Sequence, residues 1–290
     1  MRNGWDVIAL VPPGEAEAAK LRFEQPVGPD AKGKVHLVAG TLGEIEQWQG
    51  QMGPLAPAAC IHLAWATTPG SYLDTLENLS WLSWTNDLFA RLPDWGVKHI
   101  VGVGSCAEYD ADYGYLREET PTRPLTLYAA SKLAARSVGQ QLAARAGVQF
   151  SWARIFHLYG PGEHPRRLVA ACMQSLLAQE RFEATEGRQV RDFLHVDDVG
   201  AGIIKVLEAN RGEDANVCSG EPVTVRHILE VIASCTGRSD LLALGARKSP
   251  AWDPPFLCGD SQRLRSYGWR PKFSLKGGIA DAVSWWREQT

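Results

Sequence analysis

The sequence predicts a doubly wound α/β domain with a smaller C-terminal lid, and three observations lead there. Short, continuous apolar runs alternate with longer stretches of helical period through the first half of the chain. Runs that are apolar throughout, rather than alternating, belong to strands covered on both faces, as in a parallel sheet. Near residue 157 the rhythm breaks, and Pro and Gly punctuate Tyr159–Pro165. Strands separated by helices are βαβ units.

In chain order, Asp6–Val11 (DVIALV) and Val35–Ala39 (VHLVA) read as the first two strands and Cys60–Trp65 (CIHLAW) as the third. A helical stretch with apolar Leu76, Leu79, Trp84 and Leu88 follows, then a strand at Lys98–Val103 (KHIVGV). A helix is expected from about Leu127 to Arg145 and a strand at Gln149–Phe156 (QFSWARIF). Further helices are expected near Leu168–Gln179, Val225–Thr236 and Leu275–Glu288, with a Pro-rich loop between Pro250 and Pro255. The division falls at 1–157 and 158–290, with some later segments returning to the core sheet. The second part should pack on the sheet's C-terminal edge, where open α/β sheets bind their ligands.

Composition narrows the partners. The 290 residues carry a net charge of −3 without a long basic block, which argues against nucleic acid. No apolar run reaches the roughly 18 residues of a membrane span, and the N-terminus lacks a signal-peptide pattern, so no membrane partner and a cytoplasmic location are expected. The six cysteines (60, 106, 172, 218, 235 and 258) include no CxxC pair. Scattered thiols of this kind are small buried hydrophobes, and no metal site is expected.

Tyr128 and Lys132 stand four residues apart in the predicted helix, so phenol and ammonium share one face. An ammonium beside a phenol favours the phenolate, and lowering the phenol pKa towards the working pH would make Tyr128 a general acid/base for a substrate hydroxyl or ketone. The pair alone is a common coincidence; its context is not. Twenty-three residues upstream, just after a predicted strand, stands Gly104-Ser105-Cys106-Ala107-Glu108-Tyr109. A serine there can donate to the same substrate oxygen.

On these residues the chain resembles the extended short-chain dehydrogenases/reductases, of the NAD-dependent epimerase/dehydratase type that acts on nucleotide sugars. The resemblance implies a Rossmann-like core, NAD or NADP as cofactor, and Ser105, Tyr128 and Lys132 as the catalytic set. His62-Leu63-Ala64 resembles the family's loop beside the nicotinamide, which with Tyr128 and Lys132 would form the cofactor side. Arg154-Ile-Phe-His157-Leu-Tyr159-Gly160-Pro161-Gly162 resembles the substrate-cleft segment R-x-x-N-x-Y-G-P. Arg191-Asp-Phe-Leu-His195-Val-Asp197-Asp198 resembles R-D-[FY]-x-H-V-x-D, in which the Arg meets nucleotide phosphate and the acidic residues cap the next helix. His157, Arg191 and Arg263 are the implied substrate contacts, a nucleoside-diphosphate sugar the implied ligand, and a homodimer built on helices near 76–92 and 128–146 the implied assembly.

Three departures matter. His157 replaces the motif's Asn. Cys106 and Ala107 stand where the family's 4,6-dehydratases carry an acidic pair, which points to epimerisation or keto-reduction. No G-x-x-G-x-x-G stands near the start, and Asp6–Val11 resembles the family's second strand, with Asn3-Gly4 as the turn into it. That alignment places strand one, its Gly loop and the first helix outside these 290 residues and predicts a gap in the sheet. A late start, a fragment or a true loss would each explain it. Pro12-Pro13 occupy the position that normally selects NAD or NADP. The reading is therefore an epimerase or 4-keto-reductase, with a cofactor-less sugar-nucleotide-binding relative as the alternative.

Overall fold

The computed structural model describes residues 4–24, 33–248 and 253–289. Asn3, Pro250 and half of the Pro-rich loop lie outside them. The strands of the first half are β1 (Val7–Val11), β2 (Val35–Ala39), β3 (Ala59–His62), β4 (His99–Ser105), β5 (Tyr115–Leu116) and β6 (Gln149–Ile155). Between them run α1 (Ala16–Glu24), the single turns α2 (Ile45–Trp48) and α3 (Met52–Leu55), α4 (Glu77–Arg91) and α5 (Leu127–Ala146). The second half contributes β7 (His157–Tyr159), α6 (Leu168–Leu177), β8 (Phe182–Glu183), β9 (Val190–His195), α7 (Val196–Ala209), β10 (Ala215–Val217), β11 (Pro222–Thr224) and α8 (Val225–Thr236). It ends with β12 (Leu242–Ala243), β13 (Cys258–Gly259), α9 (Gln262–Ser266) and α10 (Leu275–Gln289).

The central sheet has the order β10-β6-β4-β3, parallel throughout. Its alternate residues feed two cores. Ile100, Phe150 and Trp152 pack with Phe89 of α4 and Ala135 and Ala143 of α5 on one face. Val101, Val103 and Ala153 pack with Val199, Ile203 and Val206 of α7 on the other. Burial on both faces is why β4 and β6 read as unbroken apolar runs. Trp152 lies across β4 because that strand offers glycine beneath it: a Cβ on Gly104 would stand 2.0 Å from the indole nitrogen, and one on Gly102 2.3 Å from the ring.

β1 and β2 pair in parallel from Val7↔Val35 to Val11↔Ala39, as a sheet of their own. No ladder among the described residues joins β1 or β2 to the central sheet. The second half builds the mixed sheet β11-β9-β7 and a separate core of α6, α8 and α10 around Met173, Leu229, Ile232 and Ile279, while β10 returns to the central sheet.

Two boundaries differ from expectation. The third strand stops at His62 instead of Trp65, because Leu63 and Ala64 turn out to solvent as the chain leaves the sheet. The helix expected from Leu76 begins at Glu77, with Leu76 just before it and Leu79 on it both exposed. No helix of the described residues is long and apolar enough to cross a membrane.

Candidate active site

The site is assembled where β3 and β4 end. Ser105 closes β4 in extended conformation (φ −142°) and caps the short turn Cys106–Glu108. Its Oγ accepts the Ala107 N–H at 3.2 Å, and Glu108 Oε1 accepts the Ser105 N–H at 2.7 Å. This reciprocal pair satisfies donors that a turn would otherwise leave open. Glu108 is fully buried and also accepts Trp152 Nε1–H at 3.0 Å and Arg154 Nε–H at 2.8 Å. Arg154 in turn reaches Asp214 at 3.1 Å and lies over the Tyr109 ring. A serine, a buried carboxylate and a buried guanidinium thus lock one turn.

α5 brings the other two members. Thr126 caps it by accepting the Ala129 N–H, and Gly147 ends it at φ 68°. Tyr128 and Lys132 point from its buried face into the end of β4. The Tyr128 phenol faces Ser105, while Lys132 Nζ donates to the Val103 carbonyl at 2.9 Å. All three residues meet as predicted, but their electrostatics do not follow the prediction. Burial, followed by Tyr72, raises the Tyr128 pKa above the ordinary phenol value. Burial likewise lowers Lys132 to about 7, against a smaller upward pull from Glu108. Desolvation disfavours whichever form carries charge, so the expected depression of the phenol is overridden by burial.

The segment after β3 needs a correction. The His62 side chain faces inward, edge-on to Phe89 at 5.3 Å and 3.3 Å from Thr85 Oγ1. Burial and then Lys132 push its pKa down to about 3. Only the main chain at His62, with Leu63 and Ala64 beyond it, can face a ligand. Trp65, which the strand assignment absorbed, returns over Tyr128 and Lys132.

The substrate-side residues divide. His157 on β7 has no partner at Nδ1, and burial followed by Arg191 and Arg167 lowers it to about 4. Arg191 on β9 bonds the Val190 carbonyl and Asp253 and lies near Cys106. Arg167, the second cation beside His157, lies with its guanidinium over Tyr72. Arg263 is not brought to these residues. It bonds Glu119 and the Asp214 carbonyl and lines a polar surface depression with Glu118 and Arg136. The helix-cap reading of the acidic pair also changes: His195 caps α7 itself, whereas Asp198 accepts the N–H groups of Lys272 and Phe273 at 2.7 and 3.0 Å. Asp192, which sequence reading left without a role, is buried under Ser219 and the Gly220 and Gly259 amides.

The family model described as "NAD dependent epimerase/dehydratase family" matches residues 1–218. The chain belongs to that family. GDP-L-fucose synthase 1 of Arabidopsis thaliana is 31% identical over 212 residues, covering 66% of this chain and 64% of the relative. UDP-glucose 4-epimerase of Azospirillum brasilense is 27% identical, covering 87% and 80%. Among solved structures, RMD from Pseudomonas aeruginosa complexed with NADPH superposes with a TM-score of 0.82 at 22% identity, covering 98% of each chain. That likeness shows the shared fold. The chain spans 58%, 52% and 64% of the lengths of three fucose-synthase relatives from rice and Arabidopsis.

Proposed function

We propose that this chain is an NAD(P)-dependent oxidoreductase of nucleoside-diphosphate sugars, working as an epimerase or a 4-keto-reductase. The observation that carries the reading is the convergence of Ser105, Tyr128 and Lys132 at the end of β4, with Arg191 near Cys106 and His157 beside Arg191. The described residues fit the nicotinamide half of a dinucleotide: the main chain at His62–Ala64 is free of the sheet, and Lys132 has hydrogen-bond donors beyond the one given to Val103. They hold no cradle for its pyrophosphate, since Pro12 and Pro13 follow β1 and Glu15 and Glu17 crowd the helix start. Helix N-termini attract anions, and added carboxylates oppose that.

When bound, a nicotinamide dinucleotide supplies or accepts the hydride at the sugar carbon. Ser105 donates its hydroxyl hydrogen to the sugar oxygen, and Tyr128 moves one proton between its phenol oxygen and that same oxygen. Lys132 would hold the ribose hydroxyls beside the nicotinamide, and its positive charge favours the phenolate left after proton donation. Arg191 would exchange Asp253 for the sugar nucleotide's diphosphate, to which a guanidinium can form two parallel bonds. Arg263, engaged by Glu119, is left out. The carboxylates of Glu15 and Glu17 at the start of the helix after β1, unfavourable to a pyrophosphate, favour the second reading, a sugar-nucleotide-binding relative without turnover. For assembly we propose a two-fold dimer through the outer faces of α4 and α5, which carry exposed Leu79 and Val138 and half-buried Trp81 and Leu133.

The test is turnover of UDP-, GDP- and dTDP-hexoses and their 4-keto forms with NAD(H) or NADP(H), in wild type and Tyr128→Phe. The expected result is turnover that falls about 100-fold or more in the variant, with sugar-nucleotide affinity within a few-fold. Binding without turnover in the wild type selects the second reading.

A further inference from the structure

The segment leaving β3 places Trp65 against both members of the Tyr–Lys pair. The Lys132 ammonium lies 4.1 Å from the indole centroid, and Tyr128 meets the ring edge-on at 6.4 Å. The Val103 carbonyl holds the same ammonium at 2.9 Å. Trp65 is itself fixed: its Nε1–H donates to Asn78 Oδ1 at 2.8 Å, and the Asn78 amide donates to the carbonyls of Tyr72 at 2.7 Å and Thr75 at 2.9 Å. Trp65, Asn78 and Lys132 are all buried. One α4 side chain therefore ties the indole to the far end of the same loop, with its own polar atoms satisfied.

An aliphatic side chain could fill this space without needing a hydrogen-bond partner. It could not attract a cation. The negative face of an indole draws an ammonium most strongly where water is excluded, and here it opposes the desolvation that favours a neutral amine.

We propose that Trp65 is a positioning residue for Lys132, its ring face keeping the buried lysine protonated and directed at Val103, with Asn78 setting the angle of the ring. The inference rests on Tyr128 and Lys132 being the reacting pair, and it adds a residue that spacing alone does not reveal. The other groups around the ammonium are His62 from β3, Glu108 from the turn after β4 with Arg154 of β6 behind it, and Tyr128 on the same helix. Tyr72 adds a phenol beside Tyr128, and α4 adds only the neutral Asn78 and Thr85. Glu108 supports the charge and His62, held neutral, does not offset it. Burial brings Lys132 to about 7, so its titration is within reach of measurement.

The experiment is an NMR titration of the chain labelled with ¹³C-lysine, the Lys132 signal being assigned by its loss in Lys132→Arg. Trp65→Met keeps apolar bulk and removes the ring face; Trp65→Phe restores a face. Trp65→Met should lower the proton affinity of Lys132 about tenfold or more, with Trp65→Phe within about threefold of wild type. Asn78→Ala, which leaves both partners in place, should fall between them, and it carries the test should Trp65→Met fail to fold. Equal titration in wild type, Trp65→Met and Asn78→Ala would overturn the proposal, as would equal shifts in the Met and Phe variants. No turnover is needed, so an inactive chain would sink the proposed reaction and leave this result standing.

Discussion

Glu108 carries more of the site than its place in the sequence suggests. Only its spacing, three residues after Ser105, marks it, as the S-x-x-E signature of a capping box. Its bonds to Arg154 and Trp152 come from a neighbouring strand and could not be read locally. Removing one partner of a buried ion pair leaves the other charge uncompensated. Glu108→Gln should therefore lower stability by about 3–5 kcal/mol in denaturant unfolding, and a loss under about 1 kcal/mol would show the pair to be dispensable. His62 makes a pH prediction. Its folded pKa is lowered from 6.5 to about 3, so the stability it contributes is present above 6.5 and is lost as pH falls towards 3. Wild-type stability should drop more steeply across that window than that of His62→Gln; parallel curves would contradict the burial argument. For Arg191, substitution by Met should raise the KM for the sugar nucleotide about tenfold or more while kcat moves less.

At the scale of elements, β4 and β6 were legible because strands buried on both faces write themselves as unbroken apolar runs, and β1 and β2 were read from short apolar runs although β1 is half-buried throughout and β2 exposes His36 and Ala39. α5, α8 and α10 were legible because each buries one stripe, and Thr126 and Gly147 mark the ends of α5. α7 was missed. Its N-cap is a histidine, and Gly200 and Gly202 interrupt its pattern, the latter because a Cβ there would stand 2.9 Å from Val217. The β11-β9-β7 sheet was missed because its outer strands have three residues each, too few to show a period. The proposed catalytic residues were singled out from spacing and resemblance, whereas their electrostatics depend on burial, which spacing does not report. Trp65 was hidden inside a strand assignment three residues too long. The fit between β4 and Trp152 gives a prediction for this scale: Gly104→Ala forces a methyl into the indole and should cost about 1–3 kcal/mol in thermal or denaturant unfolding.

For the whole molecule, the division of the parallel strands into a four-stranded and a two-stranded sheet sets where stability resides. A two-stranded sheet is marginal unless something covers it, and edge strands leave N–H and C=O groups open. Native-state hydrogen exchange should protect the amides of β4 and β6 far longer than those of β1, and equal protection would show that β1 is secured by more than β2. The proposed α4–α5 interface predicts a dimer mass by light scattering at micromolar concentration; a monomer mass would remove it. Both concern the scaffold around the reaction, and the reaction itself has a direct probe. The chain is incubated with NADH or NADPH carrying deuterium at nicotinamide C4 and with nucleoside-diphosphate 4-keto-hexoses, and the sugar product is read by mass spectrometry and NMR. Deuterium on the sugar carbon, lost in Tyr128→Phe, is the expected result, and unlabelled sugar from every combination would overturn the proposed hydride transfer.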